Sequence, residues 1–265
     1  MRTFQLFFLF FTLFAFGQTP FSDVTKESGI DNIYDVYQGL FGGGVVAFDF
    51  DNDGFEDLYI TGGKSQDILY KNNGDGTFTD VIEKSGLLKD KIIVTTGVSS
   101  ADVNKDGYID LLVTTIASED NQTKKKKTLS PNLLFLNNGD GTFTDVSSKF
   151  GLTKNNFSTS SSFGDINADG YPDLFIGNYF KNFYFEDSPF GTHNIALLNH
   201  YSINEEYQTG DDELYINVDG KYFKDVSDLL VDAGKGYGFG GVFTDFDNDN
   251  DLDLFIINDF GETSE

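Results

Sequence analysis

Short apolar runs alternate with acidic turns along most of this chain. The runs "GVVAFDF" (44–50) and "DLYITGG" (57–63) are rich in β-branched and aromatic residues, and they flank a cluster of carboxylates. Such runs are typical of strands rather than helices. The segments between the runs are filled by glycine, asparagine and aspartate, which favour turns. The pattern therefore predicts an all-β protein of short strands joined by tight loops.

The first acidic turn has the spacing of a metal-binding loop. It reads "DFDNDGFED" (49–57), with a glycine at its sixth position that permits a positive φ. Ca²⁺ takes six to eight oxygen ligands, whereas zinc prefers histidine or cysteine, and this loop contains neither. We therefore expect a calcium site in which positions 1, 3, 5 and 9 give side chains and position 7 gives its carbonyl. Those residues are Asp49, Asp51, Asp53, Asp57 and Phe55.

An EF-hand is excluded because its loop needs a glutamate at position 12 and a helix on each side. Position 12 is Ile60, and both flanks are predicted to be strands. A calcium loop between two strands remains. A solvated acidic turn without metal is the alternative.

Three further copies of the loop argue for the metal. In the fourth copy Asn250 replaces the glycine, which is tolerable because asparagine also adopts left-handed backbone. We expect each copy to hold one Ca²⁺, about four in all. The expected ligands are Asp102, Asn104, Asp106, Tyr108 and Asp110, then Asp165, Asn167, Asp169, Tyr171 and Asp173, and finally Asp245, Asp247, Asp249, Asp251 and Asp253.

A second repeated unit alternates with the loops. "LYKNNGDGTFTDV" (69–81) returns as "LFLNNGDGTFTDV" (134–146) and more loosely as "LYINVDGKYFKDV" (214–226), and each reads as a hairpin. Four-stranded units at this period predict β-propeller blades, and the Gly/Ser/Thr-rich first strands suit a crowded central axis. We expect an outer strand (20–26), three blades (43–84, 96–149, 160–228) and a partial blade (238–265).

This tally makes an incomplete ring of about 3.5 blades, with open strand edges that proteins normally avoid. The chain is therefore expected to be a piece of a longer protein. The alternative is a small ring that another chain closes.

The loops and the glycine-rich first strands resemble FG-GAP (VCBS-type) repeats, the blades of integrin α-subunit propellers. The run "GVVAFDFDNDGFEDLYITGG…LYKNNGDGTFTDV" is similar to the extracellular acidic family that includes cartilage acidic protein and the bacterial ASPIC/UnbV proteins. The resemblance covers about residues 20–258. It implies that the loops are Ca²⁺ sites and that the propeller is an adhesive or scaffolding module.

Residues 1–17 are predicted to be a secretory signal peptide. A single Arg2 precedes an apolar run that is shorter than the roughly 20 residues needed to span a membrane. A buried core helix is the alternative. The chain has no cysteine, so an exported protein of this kind would need stability from a source other than disulfides. We expect a secreted, periplasmic or cell-surface location.

The charge of the chain limits its partners. A net charge of −25 and a pI near 4.1 argue against nucleic acid, whose phosphates require lysine and arginine. One long insertion, "NYFKNFYFEDSPFGTHN" (178–194), is dense in aromatic residues. We expect it to present a platform for a glycan or a protein, or else to pack onto the propeller. The platform residues would be Tyr179, Phe180, Phe183, Tyr184 and Phe185.

The sequence therefore predicts an exported calcium-binding propeller that binds an extracellular protein or glycan and is not an enzyme. His193 and His200 are the only histidines, and no catalytic motif accompanies them. The alternative is a carbohydrate-active enzyme, a lyase or hydrolase that uses carboxylates outside the loops.

Overall fold

The computed structural model describes residues 21–35, 42–87, 92–119, 129–180, 209–231 and 236–261. Fifteen strands dominate these residues, with one short helix, α1 (Ile82–Ser85), and one 3-10 turn (Ser227–Leu230). The strands are β1 (Val45–Phe48), β2 (Asp57–Ile60), β3 (Ile68–Asn72), β4 (Phe78–Asp80), β5 (Ile92–Ala101), β6 (Asp110–Glu119), β7 (Ser130–Pro131), β8 (Leu133–Asn137), β9 (Phe143–Asp145), β10 (Asn155–Gly164), β11 (Asp173–Phe180), β12 (Glu213–Val218), β13 (Tyr222–Asp225), β14 (Gly236–Thr244) and β15 (Asp253–Gly261).

The strands form four antiparallel sheets, which we call blades 1 to 4. Blade 1 has the order β1-β2-β3-β4, and blade 2 has β5-β6-β8-β9. Blade 3 runs β10-β11-β12-β13, with the short β7 added along β10. Blade 4 consists of β14 and β15 alone within the described residues. The prediction of an all-β, incomplete propeller is confirmed.

In every blade the acidic loop joins the first two strands. The last strand pairs before the loops are Phe48 with Asp57, Ala101 with Asp110, Gly164 with Asp173 and Thr244 with Asp253. The carboxylate at position 9 therefore always opens the second strand. The first strands of blades 2 and 3 begin at Ile92 and Asn155, ahead of the starts predicted at 96 and 160.

The hydrophobic cores lie between neighbouring blades. One core joins blade 1 to blade 2, and in it the rings of Phe50 and Phe143 lie with centroids 6.3 Å apart. A second core joins Val103 and Leu112 of blade 2 to Leu174 of blade 3. Each core draws on two blades, so its burial depends on the packing of neighbouring blades.

Small residues line the inner strands, as the sequence predicts. The Thr96 hydroxyl donates to the Ser158 carbonyl at 2.8 Å, and the Thr159 hydroxyl donates to the Gly238 carbonyl at 2.7 Å. A Cβ on Gly97 would lie 2.8 Å from the Thr159 carbonyl oxygen, so this position has no room for a side chain. Short polar side chains thus connect the inner strands of successive blades.

The structure has no strand at residues 21–26, the described part of the outer strand predicted at 20–26. Residues 21–24 are outside any strand, residues 25–29 form a turn, and Phe21 is fully exposed. The turn at residues 25–29 contacts blade 1 in the way that the turn at Phe150 contacts blade 3. The Ser28 carbonyl accepts the Phe78 amide at 2.8 Å, and the Phe150 carbonyl accepts the Phe223 amide at 2.9 Å.

Blade 4 leaves one face uncovered. Phe246 at the second loop position is 78 % exposed, whereas Phe50 and Val103 at the same position of loops 1 and 2 are 3 % and 0 % exposed. Phe255 and Ile257 on β15 are exposed as well. Among the described residues, no helix has the length and hydropathy required to cross a membrane.

Candidate metal loops and the aromatic segment

The first carboxylate of each loop organises the backbone around it. Asp49 accepts the amides of Asp53 and Gly54 at 3.1 and 2.8 Å. Asp102 and Asp165 accept the corresponding amides of loops 2 and 3 at 2.6 to 3.1 Å. In loop 4, Asp245 accepts the Asp249 amide at 3.1 Å. The four loops therefore share one backbone conformation that turns amides inward and leaves further carboxylate lone pairs for a cation.

In loops 1 to 3 the ninth carboxylate is the buried one. In loop 2, Asp110 is fully buried and accepts the Val103 amide at 2.9 Å and the Asn137 amide at 2.8 Å. Burial raises its pKa to about 7, against the lowering effect of those two amides. Burial likewise raises the pKa of Asp57 and of Asp173. Burial makes the ionised form of these carboxylates unfavourable, and a bound cation would stabilise that ionised form.

Two positions of each loop adopt left-handed backbone. The sixth does so in all four copies, with φ of 86° to 89° at the glycines and 76° at Asn250, as the sequence predicts. The fourth position also does so, at Asn52, Lys105, Ala168 and Asn248, with φ of 56° to 64°. Lysine and alanine rarely adopt this conformation. The pattern of carboxylates gave no sign of this second left-handed position.

Loops 1 and 4 bring three carboxylates within reach of one ion. Oxygens of Asp49, Asp51 and Asp57 lie within 4.8 Å of one another, as do those of Asp245, Asp247 and Asp253. In loops 2 and 3 the third position is asparagine, an uncharged oxygen donor. All four donor sets consist of oxygen, which suits Ca²⁺. These acidic clusters are able to hold a metal ion.

Loop 1 already contains a cationic group. The Lys71 ammonium, from β3, bonds Asp51 and lies 2.6 Å from Asp53 Oδ2. Burial lowers the pKa of Lys71, but its bonds to these two carboxylates outweigh that effect and raise it. The other Asp51 oxygen, Oδ1, is buried and has no hydrogen-bond partner among the described residues. The donor set of loop 1 thus fits a cation and has an oxygen still to satisfy.

Sequence reasoning missed the asparagine that ends the third strand of each full blade. The Asn137 side-chain amide donates to the Phe50 carbonyl in the loop of the preceding blade at 2.7 Å. The Asn217 amide donates to the Val103 carbonyl in the same way at 2.8 Å. The repeated asparagine in "LYKN", "LFLN" and "LYIN" was the available signal. Loops 1 and 2 are therefore each fixed by their own blade and by this asparagine of the next blade, which we call the clamp asparagine.

The aromatic residue at position 7 covers the hairpin turn of its own blade. A Cβ on Gly74 would lie 2.8 Å from the Phe55 ring, and one on Gly139 would lie 2.6 Å from the Tyr108 ring. The glycines of these turns are thus required by close approach as well as by their positive φ of 74°. This contact orients the residue whose carbonyl was predicted as a ligand.

The aromatic platform requires a correction at two of its residues. Tyr179 and Phe180 lie on β11, are 4 % and 2 % exposed, and pack with Phe157 in a core between blades. The Tyr179 hydroxyl donates to Asp259 at 2.7 Å. These two rings stabilise the fold and present no surface to a ligand. Phe183, Tyr184, Phe185, His193 and His200 lie outside the described residues.

Comparisons with known proteins agree with this geometry. A family model described as an FG-GAP-like repeat matches residues 49–113 and 116–176, which contain loops 1 to 3. Cartilage acidic protein 1 of Xenopus tropicalis is 26 % identical over 244 residues, which is 91 % of this chain and 31 % of that protein. The chain thus spans about a third of the length of this relative. It carries FG-GAP-like repeats and is similar to cartilage acidic protein 1 over most of its length, as its loops and hairpins had indicated.

Proposed function

We propose that this chain is an exported propeller segment that binds an extracellular protein or glycan, with Ca²⁺ in its four acidic loops fixing the blades for that task. The observation that carries the proposal is the common architecture of the loops. In each loop the first carboxylate accepts inward-turned amides, and in loops 1 and 4 carboxylate oxygens of positions 1, 3 and 9 lie within 4.8 Å of one another. Loop 1 also holds an ammonium between two of its carboxylates.

Calcium would act on the contact between blades. In loops 1 and 2 the ninth carboxylate accepts the amide of the second loop residue, and the carbonyl of that residue accepts the side-chain amide of the clamp asparagine of the next blade. A cation that neutralises the carboxylates removes their mutual repulsion and keeps the clamped peptide in place. A ligand that binds only the folded state stabilises it by mass action, and this chain has no disulfide to do so.

The test is a thermal melt of residues 18–265 in Ca²⁺ and in EGTA, with Mg²⁺ as the competing cation. We expect a rise of several degrees in Tm with Ca²⁺ and a smaller one with Mg²⁺, which prefers to keep its waters. A cooperative melt with the same Tm in all three conditions would contradict the calcium part of the proposal.

The binding role needs a separate experiment. The immobilised chain would be exposed to arrays of extracellular glycans and matrix proteins, with and without Ca²⁺. Retention of one class in Ca²⁺ and its release by EGTA is the expected result. Turnover of a polysaccharide panel into reducing or unsaturated sugars, without retention, would instead support the carbohydrate-active alternative.

A further inference from the structure

Lys71 sets loop 1 apart from the other loops of full blades. It directly precedes Asn72 on β3, and its side chain is 30 % exposed. Its ammonium bonds both Asp51 and Asp53 and lies 5.6 Å from the centroid of the Phe50 ring. The lysine therefore reaches from the third strand into the donor set proposed for the metal.

The same strand position is aliphatic in the other full blades. It is Leu136 in blade 2 and Ile216 in blade 3. The third loop position changes with it, since Asp51 in loop 1 corresponds to Asn104 and Asn167 in loops 2 and 3. Loop 1 thus combines one extra carboxylate at the proposed donor positions with one extra ammonium, so the net charge of those positions together with Lys71 equals that of the donor positions of loops 2 and 3.

A divalent ion at loop 1 needs the carboxylate oxygens that the ammonium occupies. Two cations in contact with the same carboxylates repel each other, so the ammonium must withdraw as the metal enters. Lysine is well suited to this exchange because its charge sits on a flexible stem of four carbons. No comparable group acts on Asp102 or Asp106 of loop 2 from the third strand of its blade, because Leu136 carries no charge.

We infer that Lys71 is a built-in counter-cation of loop 1, which holds Asp51 and Asp53 together without metal and which Ca²⁺ must displace. Loop 1 is therefore a weaker calcium site than its four carboxylates imply, and its affinity is set by the lysine. This inference rests on the proposed binding of Ca²⁺ by the loops.

The test is hydrogen–deuterium exchange at increasing Ca²⁺, read separately on peptides that cover residues 49–60 and 102–113. We expect Lys71→Leu to lower the Ca²⁺ concentration at half-protection of loop 1 by about ten-fold, with no change in loop 2. The double variant D51N/K71L, which gives loop 1 the residues of loop 2, should return the midpoint toward that of loop 2. If Lys71→Leu does not fold in EGTA, the same measurement is made on Lys71→Gln, which keeps hydrogen-bond donors but carries no charge.

Lys64→Leu is the matched control, because Lys64 pairs with Asp35 at 3.3 Å outside the loops and its loss changes the charge of the chain equally. It should move neither midpoint. An unchanged loop 1 midpoint in both Lys71 variants, with Ca²⁺ still protecting the loops, would overturn the inference alone. A wild-type chain in which Ca²⁺ protects no loop would overturn the proposed calcium binding and the inference with it.

Discussion

The side-chain amide of Asn137 donates a 2.7 Å hydrogen bond to the backbone carbonyl of Phe50, 87 residues away and one blade earlier. The backbone amide of the same asparagine donates a 2.8 Å hydrogen bond to Asp110, the ninth-position carboxylate in the loop of its own blade. One residue thus connects two successive acidic loops. The docking of blades and the shape of the loops are therefore a single structural unit, and disturbance of one should reach the other.

Loss of the Asn137 clamp should destabilise the protein more than loss of its neighbour. We expect Asn137→Ala to lower the free energy of unfolding by about 1–3 kcal/mol, because a buried carbonyl loses its donor. Asn138→Ala is the control, since Asn138 bonds only within its exposed turn, to Thr142 and Thr144, and should cost about 0.5–1 kcal/mol. Urea unfolding in Ca²⁺ measures both. Equal costs would mean that the clamp adds nothing to blade docking.

Substitution of two carboxylates of loop 2 should distinguish a residue that stabilises the fold from one that only binds metal. Asp110→Asn places an amide donor against the Val103 or Asn137 amide, so it should lower the Tm both in EGTA and in Ca²⁺. Asp106 is exposed, and Asp106→Asn should leave the Tm in EGTA nearly unchanged while reducing the gain from Ca²⁺. Differential scanning fluorimetry in both conditions provides the measurement. A full Ca²⁺ gain in Asp106→Asn would remove Asp106 from the ligand set.

Asp212 should make stability depend on pH. It precedes β12, is 2 % exposed, and accepts the Asn178 amide at 2.8 Å, while its Oδ2 has no hydrogen-bond partner among the described residues. Burial raises its pKa to about 7, aided by the nearby charges of Glu213 and Asp211. Since this pKa lies above the ordinary 3.8, the stabilising contribution is fully present below about pH 3.8 and is lost as the pH rises toward 7.

The neutral variant Asp212→Asn should escape that loss. The difference in free energy of unfolding between Asp212→Asn and the wild type should grow by on the order of 2 kcal/mol between pH 5 and pH 8. This figure follows from about 1.4 kcal/mol per unit of pKa difference, reduced because the structure around a buried charge relaxes. Asp67 holds the equivalent place in blade 1 but accepts Tyr59, Gly62 and Thr95 donors at 2.6 to 2.7 Å. Asp67→Asn should therefore destabilise at every pH. Parallel pH profiles for Asp212→Asn and the wild type would refute the assignment.

The second loop position offers a direct test of blade packing. Phe50→Ala should cost about 3–5 kcal/mol, because Phe50 is buried between blades 1 and 2 beside Phe143. Phe246→Ala should cost less than about 1 kcal/mol in the same chain, because Phe246 is 78 % exposed. Chemical unfolding compares the two. A cost for Phe246 close to that of Phe50 would show that its face is covered in solution.

Much of this protein could be predicted from local sequence. The carboxylate spacing, the glycine or asparagine at position 6 and the alternation of loops with hairpins predicted the blades, and the observed φ at Gly54 and Asn250 agrees. The prediction failed where a segment depended on distant partners. Residues 21–24 match the fourth-strand pattern but form no strand. Tyr179 and Phe180 stand in an aromatic insertion by sequence, yet they are buried between the preceding blade and Tyr237 of the next one.

The sequence by itself determined the repeat, the spacing of the carboxylates in each loop and the small residues of the inner strands. These features follow from spacing and backbone preference within a dozen residues, which a single repeat already contains. Only the tertiary structure decided that Lys71 enters loop 1, that Asn137 holds the loop of the preceding blade, and that one Asp212 oxygen is buried without a hydrogen-bond partner in the described part of the chain. Such contacts join residues that are separated along the chain, and their energies depend on burial that arises only when the blades pack together.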